Sequence, residues 1–132
     1  MLTGGCHCGA IRYEVEGEPV YHALCHCTDC RRQTGAPVVS WALFRNDALK
    51  ISGTPKVYAS SENARRHFCD QCGTSLFYTN EVIFPGLTDI CSATLENPDA
   101  LKLGIHVQTA ERIGWMKDAH NLPQFERYPQ QP

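Results

Sequence analysis

A mainly β domain is the fold class this sequence predicts, and three observations predict it. Residues 10–16 alternate strictly, with Ile11, Tyr13 and Val15 on one side and Arg12, Glu14 and Glu16 on the other. Residues i and i+2 of an extended chain share a face, so this is a half-buried strand. No window carries a long 3.6-residue apolar period. Gly, Pro or Asn interrupts the chain every roughly 8–12 residues, the rhythm of short strands joined by turns.

The remaining elements follow in chain order. Residues 38–44 and 54–59 are rich in Val, Trp and Tyr and read as strands. Residues 65–69 and 75–79 read as two strands flanking a turn at Asp70-Gln71-Cys72-Gly73, and 87–93 and 103–108 as two more. Helical character is confined to short pieces at 29–34 and around 110–117. The 132 residues predict one domain, 1–132, with a core over about 4–125 and a Pro/Gln-rich tail, 126–132, expected to fray.

Composition narrows the function classes. Hydrophobic residues make up 42% of the chain, an ordinary globular share, and no apolar run approaches the roughly 20 residues that span a bilayer. The start, Met1-Leu2-Thr3-Gly4-Gly5, lacks the basic and apolar stretches of a signal peptide, so the cytoplasm, where thiols stay reduced, is the expected compartment. The formal net charge of −2 offers no general attraction to nucleic acid or to an anionic membrane, and neither is expected as a partner.

Seven of the eight cysteines fall in three tight clusters: Cys6-His7-Cys8, Cys25-His26-Cys27-Thr28-Asp29-Cys30, and Cys69-Asp70-Gln71-Cys72. Spacings of one or two residues suit chelation of a soft cation far better than disulfides. Zinc takes four ligands, with Zn–S near ~2.3 Å, so short-range thiolate pairs must converge on it. A Cys-x-Cys pair on an extended chain aims both sulfurs one way, and His7 and His26 then point away. Cys69-x-x-Cys72 followed by Gly73 reads as a zinc-knuckle turn.

The economical partition joins Cys6, Cys8, Cys69 and Cys72 in a closed structural site. It leaves Cys25, Cys27 and Cys30 as a three-thiolate site whose fourth position is open to water or substrate. Three thiolates leave zinc a net −1, which weakens its Lewis acidity and favours holding a substrate thiolate over making hydroxide. Two alternatives stay open at this point: a second structural zinc completed by His22, His67 or His106, or a metal-free, oxidisable cluster. Cys91, alone in an apolar stretch, reads as a small buried hydrophobe. Trp41, Phe44, Phe68 and Phe77 read as core.

Gly5-Cys6-His7-Cys8-Gly9, Cys25-His26-Cys27-x-x-Cys30-Arg31 and Phe68-Cys69-x-x-Cys72-Gly73-Thr74 together resemble the glutathione-dependent formaldehyde-activating enzyme family, which includes the centromere protein V branch. Ala93-Thr94-Leu95-Glu96-Asn97-Pro98 resembles the family's small-Thr-Leu-acidic-x-Pro segment, and Leu122-Pro123-Gln124-Phe125 its C-terminal Leu-Pro-x-Phe. The resemblance implies a β-tent fold of small antiparallel sheets organised around zinc, with two zinc ions per chain. It matches Cys6, Cys8, Cys69 and Cys72 to the structural zinc and Cys25, Cys27 and Cys30 to the catalytic one.

The activity implied is carbon–sulfur lyase chemistry on a thiol adduct, with glutathione as co-substrate and formaldehyde as electrophile. Arg31 and Arg32 are the expected cofactor-binding residues, and Arg65 or Arg66 could also pair with substrate carboxylates. Asp29 or His26 could shuttle protons. The alternative is a zinc-stabilised β-tent module that binds partners without catalysis.

Overall fold

The computed structural model describes residues 1–129. Its strands are β1 (Leu2–Gly5), β2 (Arg12–Val15), β3 (Tyr21–Cys25), β4 (Val39–Arg45) and β5 (Leu49–Ser52). There follow β6 (Lys56–Ala59), β7 (Ala64–Phe68), β8 (Ser75–Asn80), β9 (Leu87–Cys91) and β10 (Ile105–Val107), with one α-helix, α1 (Thr28–Thr34), between β3 and β4. They form a three-stranded sheet, β1-β2-β5, and a seven-stranded sheet, β10-β3-β4-β9-β8-β7-β6. Among the described residues no helix is long and apolar enough to cross a membrane.

The mainly β expectation holds, and its detail is corrected twice. One sheet is large, with seven strands, and it contains a parallel pair, β10 on β3. The chain crosses over through 3-10 turns at Ser92–Thr94 and Pro98–Ala100 before β10, so β10 meets β3 running the same way. Bonds from Gly104 N to His22 O (2.8 Å) and from His26 N to Val107 O (3.1 Å) extend the pairing.

The alternation at 10–16 now has its physical cause. Tyr13 and Val15 of β2 are buried while Arg12 is exposed. They pack onto Ala42 and Phe44 of β4, Phe77 of β8 and Ile90 of β9. The Tyr13 and Phe77 rings meet edge to face at 5.4 Å. The small sheet therefore covers one face of the large sheet. The other face carries a second cluster of Cys25, Cys30, Val39 and Trp41, against which Cys27, Tyr78, Cys91 and Val107 pack. With both faces covered, β4 is buried from Trp41 through Phe44 and shows no alternation.

Three strands escape sequence reading. β1 is half glycine, β3 is an apolar run buried on both faces, and β5 is short and mostly exposed. The helix expected at 29–34 appears as α1, whereas the stretch around 110–117 forms 3-10 turns, Thr109–Glu111 and Gly114–Asn121. Of the tail, 126–129 is exposed and outside helix and strand, and 130–132 lie outside the described residues.

Candidate functional site

Two turns build the first cysteine cluster. After β1 the chain reverses through a tight turn closed by Cys6 N to Ile11 O (3.0 Å) and Gly9 N to Cys6 O (3.1 Å). Gly9 takes φ 82°, a left-handed conformation that an L side chain resists. Between β7 and β8 a second turn is closed by Cys69 N to Thr74 O (3.0 Å) and Gly73 N to Cys69 O (2.7 Å). His7 N donates to Thr74 Oγ1 across the two turns (3.1 Å). The sulfurs of Cys6, Cys8, Cys69 and Cys72 thereby lie within 4.8 Å of one another.

Those sulfurs fit a metal. A tetrahedron of thiolates about 2.3 Å from zinc has S–S edges of about 3.8 Å. Cys6 Sγ and Cys8 Sγ are 3.7 Å apart, and Cys8 Sγ and Cys69 Sγ 3.8 Å. Backbone N–H groups already point at the sulfurs, Ile11 N to Cys6 Sγ (3.2 Å) and Gln71 N to Cys69 Sγ (3.4 Å), as thiolate ligands require. The Thr74 hydroxyl, 3.2 Å from Cys72 Sγ, leads the contacts that hold that thiol down to about 5. All eight cysteines are free, so no disulfide competes.

The second cluster is built by the end of a strand and the start of a helix. Cys25 closes β3, paired with Val39 on one side and Val107 on the other. Cys27 caps α1, its Sγ accepting from Cys30 N at 3.3 Å, and Cys30 sits in the first turn. Gly35 ends the helix in the left-handed conformation (φ 71°). The three sulfurs lie within 4.8 Å of one another, and among the described residues no histidine or carboxylate joins them.

The histidines weighed as a fourth ligand are engaged elsewhere. His22 bonds Lys102 O and Ser92 Oγ, His67 bonds Thr79, and His106 bonds His26 at 2.9 Å. His26, one of the two proton-shuttle candidates, is buried and turned to His106. Burial, then the Arg112 and His106 charges, hold it below the usual histidine range.

A cavity of about 440 Å³ opens over this cluster. Cys25, Cys27 and Cys30 line it with Tyr21, Trp41, Tyr78, Asp89 and Arg66. Asp29 and Glu111 stand at its exposed rim. Arg66, only 4% exposed, donates to Cys30 Sγ (3.5 Å) and to Ser60 Oγ (3.2 Å) and lies 5.0 Å over the Tyr78 ring. A hydrogen bond from Cys25, reinforced by Arg66, holds the Cys30 thiol down to about 5, and the same bond pushes Cys25 up.

Sequence reading placed the thiolates but missed most of the walls. Trp41, expected only in the core, also lines the cavity, and Asp89 carried no recognisable motif. Cys91 packs beside the cluster as a small hydrophobe, partly rather than fully buried and outside the cysteine group, with burial pushing its thiol up to about 11. Arg31 turns back to His26 O and the Thr28 hydroxyl, while Arg32 lines an adjoining cavity with Lys56, Tyr58 and Arg66.

Comparison with known proteins adds lineage. A Schizosaccharomyces pombe protein described as an uncharacterized lyase is 34% identical over 79 residues, 58% of this chain and 58% of that protein. The match therefore spans little more than half the length of that relative. A Halomonas elongata protein described as a putative glutathione-dependent formaldehyde-activating enzyme is 25% identical over 130 residues, covering 89% of this chain and 80% of that protein. The crystal structure of a Rhodobacter sphaeroides protein superposes with a TM-score of 0.60 at 26% identity, covering 80% of this chain and 99% of that one. The sequence profile of the glutathione-dependent formaldehyde-activating enzyme family matches residues 1–111, and this chain belongs to that family.

Proposed function

We propose that this protein is a zinc-dependent carbon–sulfur lyase that makes and breaks the adduct of a small-molecule thiol with a carbonyl compound, glutathione and formaldehyde being the reference pair. One observation carries the reading: three converging cysteines, joined by no fourth ligand group among the described residues, line a cavity large enough for a substrate. The description of the Halomonas elongata relative supports the choice of thiol and electrophile. The missing fourth ligand also favours an enzyme over a purely binding module.

Two zinc ions per chain suit the two cysteine groups, with Cys6, Cys8, Cys69 and Cys72 structural and Cys25, Cys27 and Cys30 catalytic. Cys25, Cys27 and Cys30 would hold zinc at the second group, where it would supply a position that favours the nucleophilic thiolate form of a substrate thiol. The protein's own residues do the rest. Arg66 offsets the negative charge gathered at Cys30. Trp41, Tyr78 and Val107 form walls that limit water around the reacting sulfur. Arg32, with Lys56 in the adjoining cavity, is placed to pair with carboxylates on the thiol, and Arg31 supports the helix from which Arg32 projects. Free thiols throughout suit the cytoplasm.

The test is Cys27→Ser in chelator-free buffer. Metal content is expected to fall from two to one per chain, with loss of glutathione–formaldehyde condensation measured by NMR exchange. A variant that keeps both metals and full turnover would sink the proposal.

A further inference from the structure

Joining a thiol to a carbonyl moves the thiol's proton to the carbonyl oxygen, and in a cavity walled by apolar rings that proton needs a carrier. Asp89 sits in the middle of β9, paired with Leu43 of β4 and Tyr78 of β8, and faces the cavity lined by the three cysteines. It is 4% exposed, and its Oδ1 has no hydrogen-bond partner. No cation neutralises it: the ion pairs among the described residues are Arg12–Glu96 and Arg45–Asp47, and Arg66 is committed to Cys30, Ser60 and Tyr78. The Tyr21 hydroxyl approaches the carboxyl, yet its Oδ1 is left bare toward the cavity, although buried polar groups are nearly always partnered.

We propose that Asp89 is the proton carrier of this site, giving its proton to the carbonyl oxygen as the C–S bond forms and taking it back in the reverse reaction. The assignment rests on reading the cavity as a site of thiol–carbonyl chemistry. Forward, the thiolate sulfur donates its electron pair to the carbonyl carbon. The C=O π pair moves to oxygen, and the oxygen takes the Asp89 proton. The hemithioacetal leaves, and the next thiol gives its S–H proton to the Asp89 carboxylate as it becomes a thiolate. The net change is thiol plus carbonyl giving hemithioacetal, with Asp89 restored.

Its rivals are less well fitted. Asp29 and Glu111 are exposed at the rim, and Glu111 already accepts from Thr28 N (3.0 Å). Burial pushes the Tyr21 hydroxyl far above neutrality, so it stays protonated. Asp89 is instead the buried carboxyl of this cavity, and burial pushes it above the usual carboxylate range.

Asp89→Asn keeps the shape and a hydrogen-bond donor but has no transferable proton. Loss of general acid–base catalysis should lower kcat for glutathione–formaldehyde condensation by about 100-fold or more, with metal content and glutathione binding unchanged. Asp89→Ala leaves a gap that formate can enter, and added formate should restore turnover. An Asp89→Asn enzyme within about threefold of wild type would overturn the assignment. If Asp89→Asn fails to fold or loses metal, the Asp89→Ala enzyme decides: no rescue by formate overturns it as well. A wild-type protein that does not accelerate condensation at all defeats the reading of the site itself, and Asp89's role with it.

Discussion

Arg66 is a buried guanidinium with partners fitted to its position: a sulfur, a hydroxyl and an aromatic face. Groups that hydrogen-bond to metal ligands are worth about 10–100-fold in metal affinity, so Arg66→Met should weaken metal binding at Cys25/Cys27/Cys30 within that range and spare the other cluster. Competition with a chromogenic chelator, read as two separate binding steps, checks this. Asp89 makes a different kind of prediction. Its folded-state value, about 7, lies above the roughly 3.9 of an unfolded chain. Between those values the folded protein holds a proton that the unfolded chain has released, so this group's contribution to stability falls as pH rises through that window. Asp89→Asn removes the dependence. The variant should gain on wild type by about 3 kcal/mol between pH 4.5 and pH 8, as followed by urea unfolding at each pH.

At the scale of elements, α1 is a seven-residue helix that exists to present thiolates. It is capped by Cys27, one of the three clustered cysteines, and stopped by Gly35 in the left-handed conformation. Gly35→Ala should cost about 1–2 kcal/mol and loosen the helix carrying Cys30, reading out as a lower Tm and weaker metal retention at the second cluster. β1 is held close to the small-sheet core. A Cβ on Gly4 would lie 2.5 Å from Tyr13 Oη and 2.6 Å from the Thr94 carbonyl, within reach of the Tyr13–Thr94 hydrogen bond. Gly4→Ala should therefore destabilise by roughly 1–3 kcal/mol, measurable by thermal melting, with the second cluster's metal retained. These elements also show where sequence reading stops. β2 was legible because one face is solvated. β3 is covered on both faces, which removes the alternation by which a strand is recognised, whereas β4, equally covered, was legible from its Val and Trp content.

For the whole molecule, the first cysteine cluster joins the β1–β2 turn of the small sheet to the β7–β8 turn of the large one. Metal there would clamp the two sheets over the Tyr13–Phe77 core. Chelation under reducing conditions should lower Tm by on the order of 10 °C or more, because structural zinc sites contribute directly to folding. Cys69→Ser should reproduce that loss, whereas Cys27→Ser should leave Tm closer to wild type. Calorimetry on the two variants separates the structural from the reactive cluster.

The sequence by itself determined the ligand groups, because chelating geometry is local. Spacings of one and two residues bring sulfurs to a common side whatever the rest of the chain does. It also carried the family's motifs and the mainly β character. Only the tertiary structure decided what surrounds the sulfurs. Arg66, Tyr78, Asp89 and Trp41 come from four different strands, and their meeting depends on the register of β7, β8, β9 and β4 in one sheet. A one-residue slip in any of these pairings would turn that side chain to the opposite face. Tertiary structure likewise decided that, among the described residues, no histidine or carboxylate joins Cys25, Cys27 and Cys30, His22, His67 and His106 being bonded elsewhere.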